Sequence, residues 1–319
     1  MSLQSEFIWA RASGSRLTEK LGLEFFRGLP RSPGVYRMVG EAGAILYVGK
    51  SKNLRARLNS YRLAKADRVS RKILRMLALV EEIQIELCED EKSALLRENA
   101  LLREHRPPFN VVNVRPENYY FIGLRAAGGT LEVRLTSHEE RVQEELEEGD
   151  GVAEYFGAYK GRRSIRDGYS ALLRLLWAVH HEIERFHYPA ILTRESPQYQ
   201  YRLAIGEGEI AGWMPMLRRF LKGTSRCLLE ELTARLLENP RIPPFMYRTI
   251  QEDLERVEAF YRIGPWRNKK AKRAVGQSVQ TLIEQEKLDD MLVEMAFSRK
   301  PSRKKRGPVV RSRAADPAP

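Results

Sequence analysis

The sequence predicts an α+β fold: a small antiparallel sheet flanked by helices, then a mixed α/β extension, then a mostly helical part ending in a disordered basic tail. Three observations predict it. The short aliphatic and aromatic runs Gly34–Val39 and Ala44–Val48 flank Gly40-Glu41-Ala42-Gly43, which is a hairpin pattern. Apolar residues recur at helical spacing in successive segments between residues 54 and 105. The end of the chain, Ser298–Pro319, is rich in Pro, Arg and Ser and reads as disordered.

Composition bounds the rest. The chain has 319 residues, 43% of them hydrophobic and 9% aromatic, enough for a packed core and inconsistent with wholesale disorder. Its length suggests about two domains, or one domain with appendages. No apolar run approaches the ~18 residues that a membrane span needs. The first thirty residues break their apolar stretches with Glu6, Arg11, Arg16 and Glu19, so they do not read as a signal peptide, and a cytoplasmic location is expected. Two cysteines, Cys88 and Cys227, build no disulfide framework, and no Cys-x-x-Cys occurs.

The net charge of +13 is unevenly placed. Lys50, Lys52, Arg55, Arg57, Arg62, Lys65, Arg68, Arg71, Lys72 and Arg75 follow one another with Asp67 as the only acid among them. A second basic run, Arg299 to Arg313, holds eight cations and no acid, while Glu139 to Glu154 carries eight acids and one arginine. Such basic stripes attract phosphate backbones through Coulomb forces and counterion release, which suits a nucleic-acid partner. A solvated surface alone also accounts for a charge run.

The elements follow in order. Residues 1–27 read as a helical lead-in. In the hairpin, pairing Val39 with Ala44 would place Tyr36 directly opposite Tyr47 on one sheet face. Asn53 is an N-cap candidate for a helix with Leu54, Leu58 and Tyr61 inward, and Arg57 lies between them on nearly the same side. The next helix turns Val69, Ile73, Met76 and Val80 inward and Arg68, Arg71, Lys72 and Arg75 outward. Glu82–Leu87 alternates as a strand, and Asp90 caps a helix reaching about His105. Glu98 falls inside that helix's apolar stripe of Ala94, Leu95, Leu101 and Leu102; a carboxylate there must be paired, protonated or bound to a cation. Beyond it, Tyr119–Leu124 and Leu131–Leu135 read as strands. Tyr155–Tyr159 precedes a helix reaching about Val179. Trp213–Leu237 and Tyr247–Tyr261 read as two helices.

Tyr36, Tyr47, Lys50, Arg57, Tyr61, Glu98 and Asn110 form the candidate constellation. A phosphodiester hydrolase needs a group to activate water, a cation to stabilise charge and a clamp on the phosphate. One carboxylate suits a hard divalent ion that keeps its waters, an arginine fork matches phosphate, and a tyrosine relays a proton if a neighbouring lysine favours its phenolate. Taken singly, the tyrosines equally fit sheet-core aromatics, Lys50 and Arg57 surface cations, Glu98 an arginine's partner and Asn110 a turn.

The spacing adds what single residues lack. Gly34-Val35-Tyr36 and Tyr47-Val48-Gly49, within Pro33–Met38 and Leu46–Leu58, together with Leu95–Pro107 and Phe109-Asn110-Val111, resemble the GIY-YIG endonuclease superfamily and within it the N-terminal nuclease domain of the UvrC excinuclease family. The resemblance implies a one-metal nuclease using Mg²⁺ or Mn²⁺. In it Tyr47 acts as general base with Lys50 nearby, Tyr36 and Tyr61 hold water and phosphate, Arg57 stabilises the phosphate, Glu98 binds the metal and Asn110 supports the site. Lys52, Arg55, Arg68, Arg71, Lys72 and Arg75 would contact DNA. Tyr155–Tyr159 resembles the family segment just after the nuclease domain, where the family typically carries a cysteine cluster associated with an iron–sulfur centre, but no cysteine lies between Cys88 and Cys227, so no cluster is expected. Phe220–Gly223 and Leu228–Leu232 resemble the start of a helical hairpin that binds UvrB, and Pro240, Pro243 and Pro244 interrupt its second half.

The expected organisation is therefore a lead-in over 1–27, the nuclease domain over 28–114, an extension without cysteine cluster over 115–211, a degenerate hairpin over 212–263 and a basic, largely disordered tail over 264–319. The leading functional expectation is a metal-dependent endonuclease that nicks one DNA strand in nucleotide excision repair, with UvrA and UvrB as partners. The rivals are a nuclease of branched or foreign DNA outside that process and a non-catalytic DNA-binding adaptor.

Overall fold

The computed structural model describes residues 17–298 apart from 65–68, 111–117, 149–153, 182–187, 190, 191, 193–199, 241, 280 and 281. Arg68 of the basic stripe, the first part of the lead-in and the basic run after Ser298 lie outside the described residues. Among the described residues no helix is long and apolar enough to cross a membrane.

The first unit opens with two short helices, α1 (Leu17–Leu21) and α2 (Leu23–Gly28). A three-stranded antiparallel sheet of β1 (Gly34–Val39), β2 (Ile45–Ser51) and β3 (Glu82–Leu87) is ordered β2-β1-β3. Between β2 and β3 lie α3 (Leu54–Arg62) and α4 (Arg71–Leu79), and α5 (Glu91–His105) follows β3. The caps read from the sequence are in place: Asn53 accepts from the Ala56 N–H and Asp90 from the Ser93 N–H. Both sheet faces are covered. Tyr36, Met38, Ile83 and Ile85 pack against α1 to α4, while Val35 and Val48 pack against Ala94, Leu101 and Leu102 of α5.

The hairpin register differs from the expected one. Tyr36 pairs with Gly49, Met38 with Tyr47 and Val39 with Ile45, with an irregularity between Met38 and Val39. The loop is closed one step further out, by the Gly40 N–H on the Ala44 carbonyl at 2.8 Å, and the irregularity completes a two-residue slip. A slip of two preserves the face on which a side chain lies, whereas a slip of one reverses it. Tyr36 and Tyr47 therefore remain neighbours, with ring centroids 6.1 Å apart.

The second unit is a four-stranded antiparallel sheet of β4 (Tyr119–Ala127), β5 (Thr130–Thr136), β6 (Glu154–Lys160) and β7 (Gln200–Ala204), ordered β6-β4-β5-β7. Tyr155–Tyr159 is thus strand, and β7 is an element that the sequence pattern did not reveal. On one face lie α7 (Arg162–His180), α8 (Glu207–Leu221), α9 (Cys227–Glu238) and α10 (Tyr247–Tyr261), sharing a core that includes Ile122, Val133, Leu172, Trp213, Phe220 and Phe260. On the other face α6 (Glu139–Glu148), α11 (Arg267–Ala274) and α12 (Gln285–Ser298) contribute Val142, Ala271, Leu288 and Met291 beside Tyr119 and Phe121.

Three expectations for the C-terminal half are corrected. The single helix Trp213–Leu237 is two, because Gly223 ends α8 at φ 70°, where a Cβ would stand 2.3 Å from the Pro265 carbonyl oxygen. The segment 212–263 does not stand apart as a hairpin: Phe220, Leu228 and Leu232 are buried in the core of the second sheet. Residues 264–298 are not tail, for α11 and α12 are packed helices. Their charges made the segment look solvated, but much of that charge is spent on partners.

Two of those partners join the units. On α12, Asp290 accepts from Asn99 Nδ2 at 2.9 Å and pairs with Arg103 Nη2 at 2.9 Å, both on α5, and Glu294 pairs with Lys92 at 2.9 Å. The preceding residue, Asp289, holds Lys160 Nζ at 2.6 Å and the Tyr119 hydroxyl of the second sheet. Replacing Asp290 with alanine removes the bond to buried Asn99 and a half-exposed ion pair, so urea unfolding should show a loss of about 1–2 kcal/mol. A change within about 0.3 kcal/mol would show that the contact is incidental.

Candidate active site

The outer edge of β2 organises the candidate residues. β2 is an edge strand, and the outward-facing groups of an edge need partners when covered. The Leu46 carbonyl accepts from the Phe109 N–H at 3.1 Å. Asn110 uses both ends of its amide on Val48: Oδ1 accepts from the N–H at 2.9 Å and Nδ2 donates to the carbonyl at 2.8 Å. The Lys50 N–H donates to Glu98 Oε1 at 3.0 Å. Two side chains and one backbone segment thus act together as a missing strand, and the carboxylate belongs to that set.

Glu98 is half-buried on α5, and burial lifts its carboxyl above the ordinary glutamate range. The Lys50 N–H, the Lys50 side chain and Arg57 pull the other way. Among the described residues Glu98 Oε2 makes no protein hydrogen bond and the carboxylate has no ion pair within reach of an arginine. Of the three states open to a carboxylate in an apolar stripe, this one is held by a backbone donor and keeps an oxygen available.

On the opposite side of the edge, α3 delivers Arg57 and Tyr61 one helical turn apart. Arg57 Nε donates to the Tyr36 hydroxyl at 3.1 Å and Nη2 to the Tyr61 hydroxyl at 3.0 Å; the two hydroxyls lie 3.1 Å from each other. Burial and the neighbouring Tyr61 and Tyr47 hold the Tyr36 phenol well above its usual value. Burial also pushes Tyr47 up to about 12, reinforced by Tyr61 and Glu98, with Arg57 opposing. Partial burial weakens the charge on Arg57, but Tyr36, Tyr61 and Tyr47 outweigh it and its pKa stands above the ordinary arginine value. The side chain stays solvent-exposed and keeps Nη1 without a bond to the described residues.

The glycine of Tyr47-Val48-Gly49 has a steric reason. A Cβ at Gly49 would stand 2.5 Å from the Tyr36 hydroxyl oxygen and 2.8 Å from Tyr47 Cε1. No side chain fits between the two rings.

Lys50 departs from expectation. Its ammonium pairs with Glu91 Oε1 at 3.2 Å, and Arg57 is a cation that favours the Tyr47 phenolate. Glu91 was missed by the sequence reading. It lies seven residues before Glu98, two turns along the same helix face, and that spacing is the signal which would have found it. Of the expected DNA contacts, Lys52, Arg71, Lys72 and Arg75 are exposed. Arg55 directs its Nε to the Leu29 carbonyl and ties α3 to the chain after α2.

The donor set fits a hard divalent ion. Glu98 offers one carboxylate, the described residues contain no group of three or more His, Cys, Asp or Glu side chains placed to hold a metal, and Mg²⁺ often takes one or two carboxylates and keeps its waters. A soft ion with several nitrogen or sulfur ligands does not fit; Cys88 and Cys227 are free thiols.

Residues 32–111 match the family described as the UvrC-like GIY-YIG domain. The UvrABC system protein C of Geobacter metallireducens is 36% identical over 218 residues, covering 65% of this chain and 33% of that protein. That of Alkalilimnicola ehrlichii is 30% identical over 231 residues, covering 66% and 34%. The chain thus spans about a third of the length of the curated relatives it matches. Among solved structures, the GIY-YIG N-terminal endonuclease domain of UvrC from Thermotoga maritima, bound to its catalytic divalent cation, magnesium, is 30% identical, covers 28% of this chain and 93% of that one, and has a TM-score of 0.25.

Two outcomes are expected at this site. Gly49→Ala should cost about 1–3 kcal/mol in urea unfolding, because the rings must part to admit the methyl group; an unchanged midpoint would refute the steric account. Glu98→Gln keeps an acceptor for the Lys50 N–H but removes the charge. Because the folded-state pKa of Glu98 is raised, its ionised form lowers stability above that pKa and the deficit disappears at lower pH, where folded and unfolded chains both hold the proton. The variant should therefore melt at or above the wild-type temperature at pH 7, with the difference vanishing near pH ~4. A lower melting temperature at pH 7 would contradict this.

Proposed function

We propose that this chain, whose residues 32–111 are a UvrC-like GIY-YIG domain, is a divalent-metal-dependent endonuclease that hydrolyses one phosphodiester of a DNA duplex, leaving a nick, in nucleotide excision repair. The observation that carries the proposal is the convergence on one strand edge of a carboxylate with an available oxygen, an arginine fork held by two phenols, and a third phenol beside them.

Glu98 would hold one Mg²⁺ or Mn²⁺, which supplies Lewis-acid charge to the leaving oxygen when bound. Arg57 spends two donors on Tyr36 and Tyr61, which fixes its plane, and presents the remainder to a phosphate oxygen. Tyr47 Oη is the proton acceptor for the attacking water. In the protein alone it keeps its own proton, since burial raises its pKa to about 12; to act as base the phenol would first release that proton to solvent, which positive charge in a loaded site would favour and Arg57 already favours. Asn110 does no chemistry in this reading. It keeps β2 in position, and with it Tyr47 and the Lys50 N–H that holds Glu98. Lys52, Arg71, Lys72 and Arg75 carry the duplex by its backbone, with no sequence reading. With two cysteines in the whole chain, we infer no iron–sulfur cluster.

A second reading keeps the nuclease and moves it to branched or foreign DNA. It is favoured by one observation: Phe220, Leu228 and Leu232, in the segment that resembles a UvrB-binding hairpin, are buried in this chain's own core.

Incision of a site-specifically damaged duplex, with and without UvrA and UvrB, tests both. Wild-type chain with Mg²⁺ or Mn²⁺ should nick one strand, and Glu98→Ala should lose at least about 10²–10³ in rate while still binding DNA. Incision that depends on UvrA and UvrB supports the repair reading, and incision of branched duplex without them supports the second. Wild-type protein that loads onto both substrates and never cuts, like Glu98→Ala, would defeat the enzymatic reading.

A further inference from the structure

A cavity of about 90 Å³ lies on the second sheet, between β6, the end of α8 and α11. Its lining carries three cations, Lys222, Lys269 and Lys272, and one carboxylate, Glu154. Glu154 is already engaged twice, by Arg218 Nε at 2.5 Å and by Lys222 Nζ at 3.1 Å. Among the described residues Lys269 has no ion pair. Lys272 is 8% exposed and donates to the Val279 carbonyl at 3.0 Å. Burial and the nearby Lys222 bring its pKa down to about 8.

The cavity also holds an orphaned acceptor. Asn268 is 4% exposed, and its Nδ2 donates to the Ala158 carbonyl at 2.6 Å, which fixes which end of the amide is which. Among the described residues the buried Oδ1 has no hydrogen-bond partner. A ligand matched to this lining needs negative charge for the lysines and one hydrogen to give to Asn268. Carboxylates and sulfate at neutral pH have charge and no hydrogen to give. Hydrogenphosphate has both. A space of ~90 Å³ takes several waters or one such ion, and does not take a nucleoside.

We infer that this cavity binds one hydrogenphosphate group, its oxygens accepting from Lys222, Lys269 and Lys272 and its hydroxyl donating to Asn268 Oδ1. The site is separate from the nuclease constellation, because Glu98, Arg57 and the three tyrosines do not line it. Its ligand is free phosphate or the protonated phosphate at a DNA end, which present the same group. An internal phosphodiester has no hydroxyl and is excluded.

The test is the melting temperature of the full chain at pH 7 and constant ionic strength in chloride, sulfate or inorganic phosphate. Phosphate at about 20 mM should raise it by about 2–4 °C over both other anions. Lys272→Met should gain nothing from phosphate relative to its own melting temperature in chloride; Lys269→Ala, altering a half-exposed side chain, should gain less than wild type. A 5′-phosphorylated oligonucleotide that reproduces the rise at pH 5.5, where its 5′-hydroxyl twin does not, assigns the group to a DNA end; a rise with free phosphate alone assigns it to the ion. Equal effects of sulfate and phosphate, no effect of phosphate on wild type, or an undiminished effect on Lys272→Met would each overturn the inference. None of these readings involves incision, so the phosphate site and the nuclease reading stand or fall separately.

Discussion

The candidate site depends on the open edge of β2. An edge strand lying under other parts of a protein must have its outward N–H and C=O groups satisfied, and here no further strand does so among the described residues. Phe109, Asn110 and Glu98 take the positions that a strand would fill. This is an economical way to place a carboxylate. Glu98 is held by a neutral backbone donor, so it is positioned without being cancelled by a guanidinium. The same strand carries Tyr47 and Lys50, so the hydrogen bonds that close the fold also set the candidate residues in place.

The other half of the site is set by crowding. Three phenols and one guanidinium occupy the space beside the hairpin, and Gly49 is small because the rings of Tyr36 and Tyr47 leave no volume for a side chain. Burial discourages ionisation of the phenols, and the phenols in turn hold Arg57 in its charged form. Burial thus keeps these phenols protonated near neutral pH, and the single carboxylate beside them is the kind of donor a hydrated divalent ion takes.

The two units are not independent beads. Asp289 and Asp290 are successive residues of α12, so they point about 100° apart around the helix, one toward the second sheet and one toward α5. Asn99 is next to Glu98 in sequence, and Asn99 is the residue that Asp290 grips. The C-terminal helix thus reaches back across nearly two hundred residues to the helix that carries the carboxylate.

Local signals made much of the first unit legible. The strands and helices between Gly34 and His105, the Asn53 and Asp90 caps and the anomalous acid in an oily stripe follow from periodicity and capping chemistry, which act over a few residues. Spacing, through a family resemblance, singled out the seven candidate side chains. Tertiary structure alone decided the rest. It chose the two-residue slip of the hairpin, the pairing of Lys50 with Glu91, the splitting of α8 from α9 at Gly223, and the use of α12 as a brace. Each is a contact between groups far apart in sequence or a choice between nearly equal local options. Charge runs look alike whether solvated or paired, and only packing tells which carboxylate meets which cation.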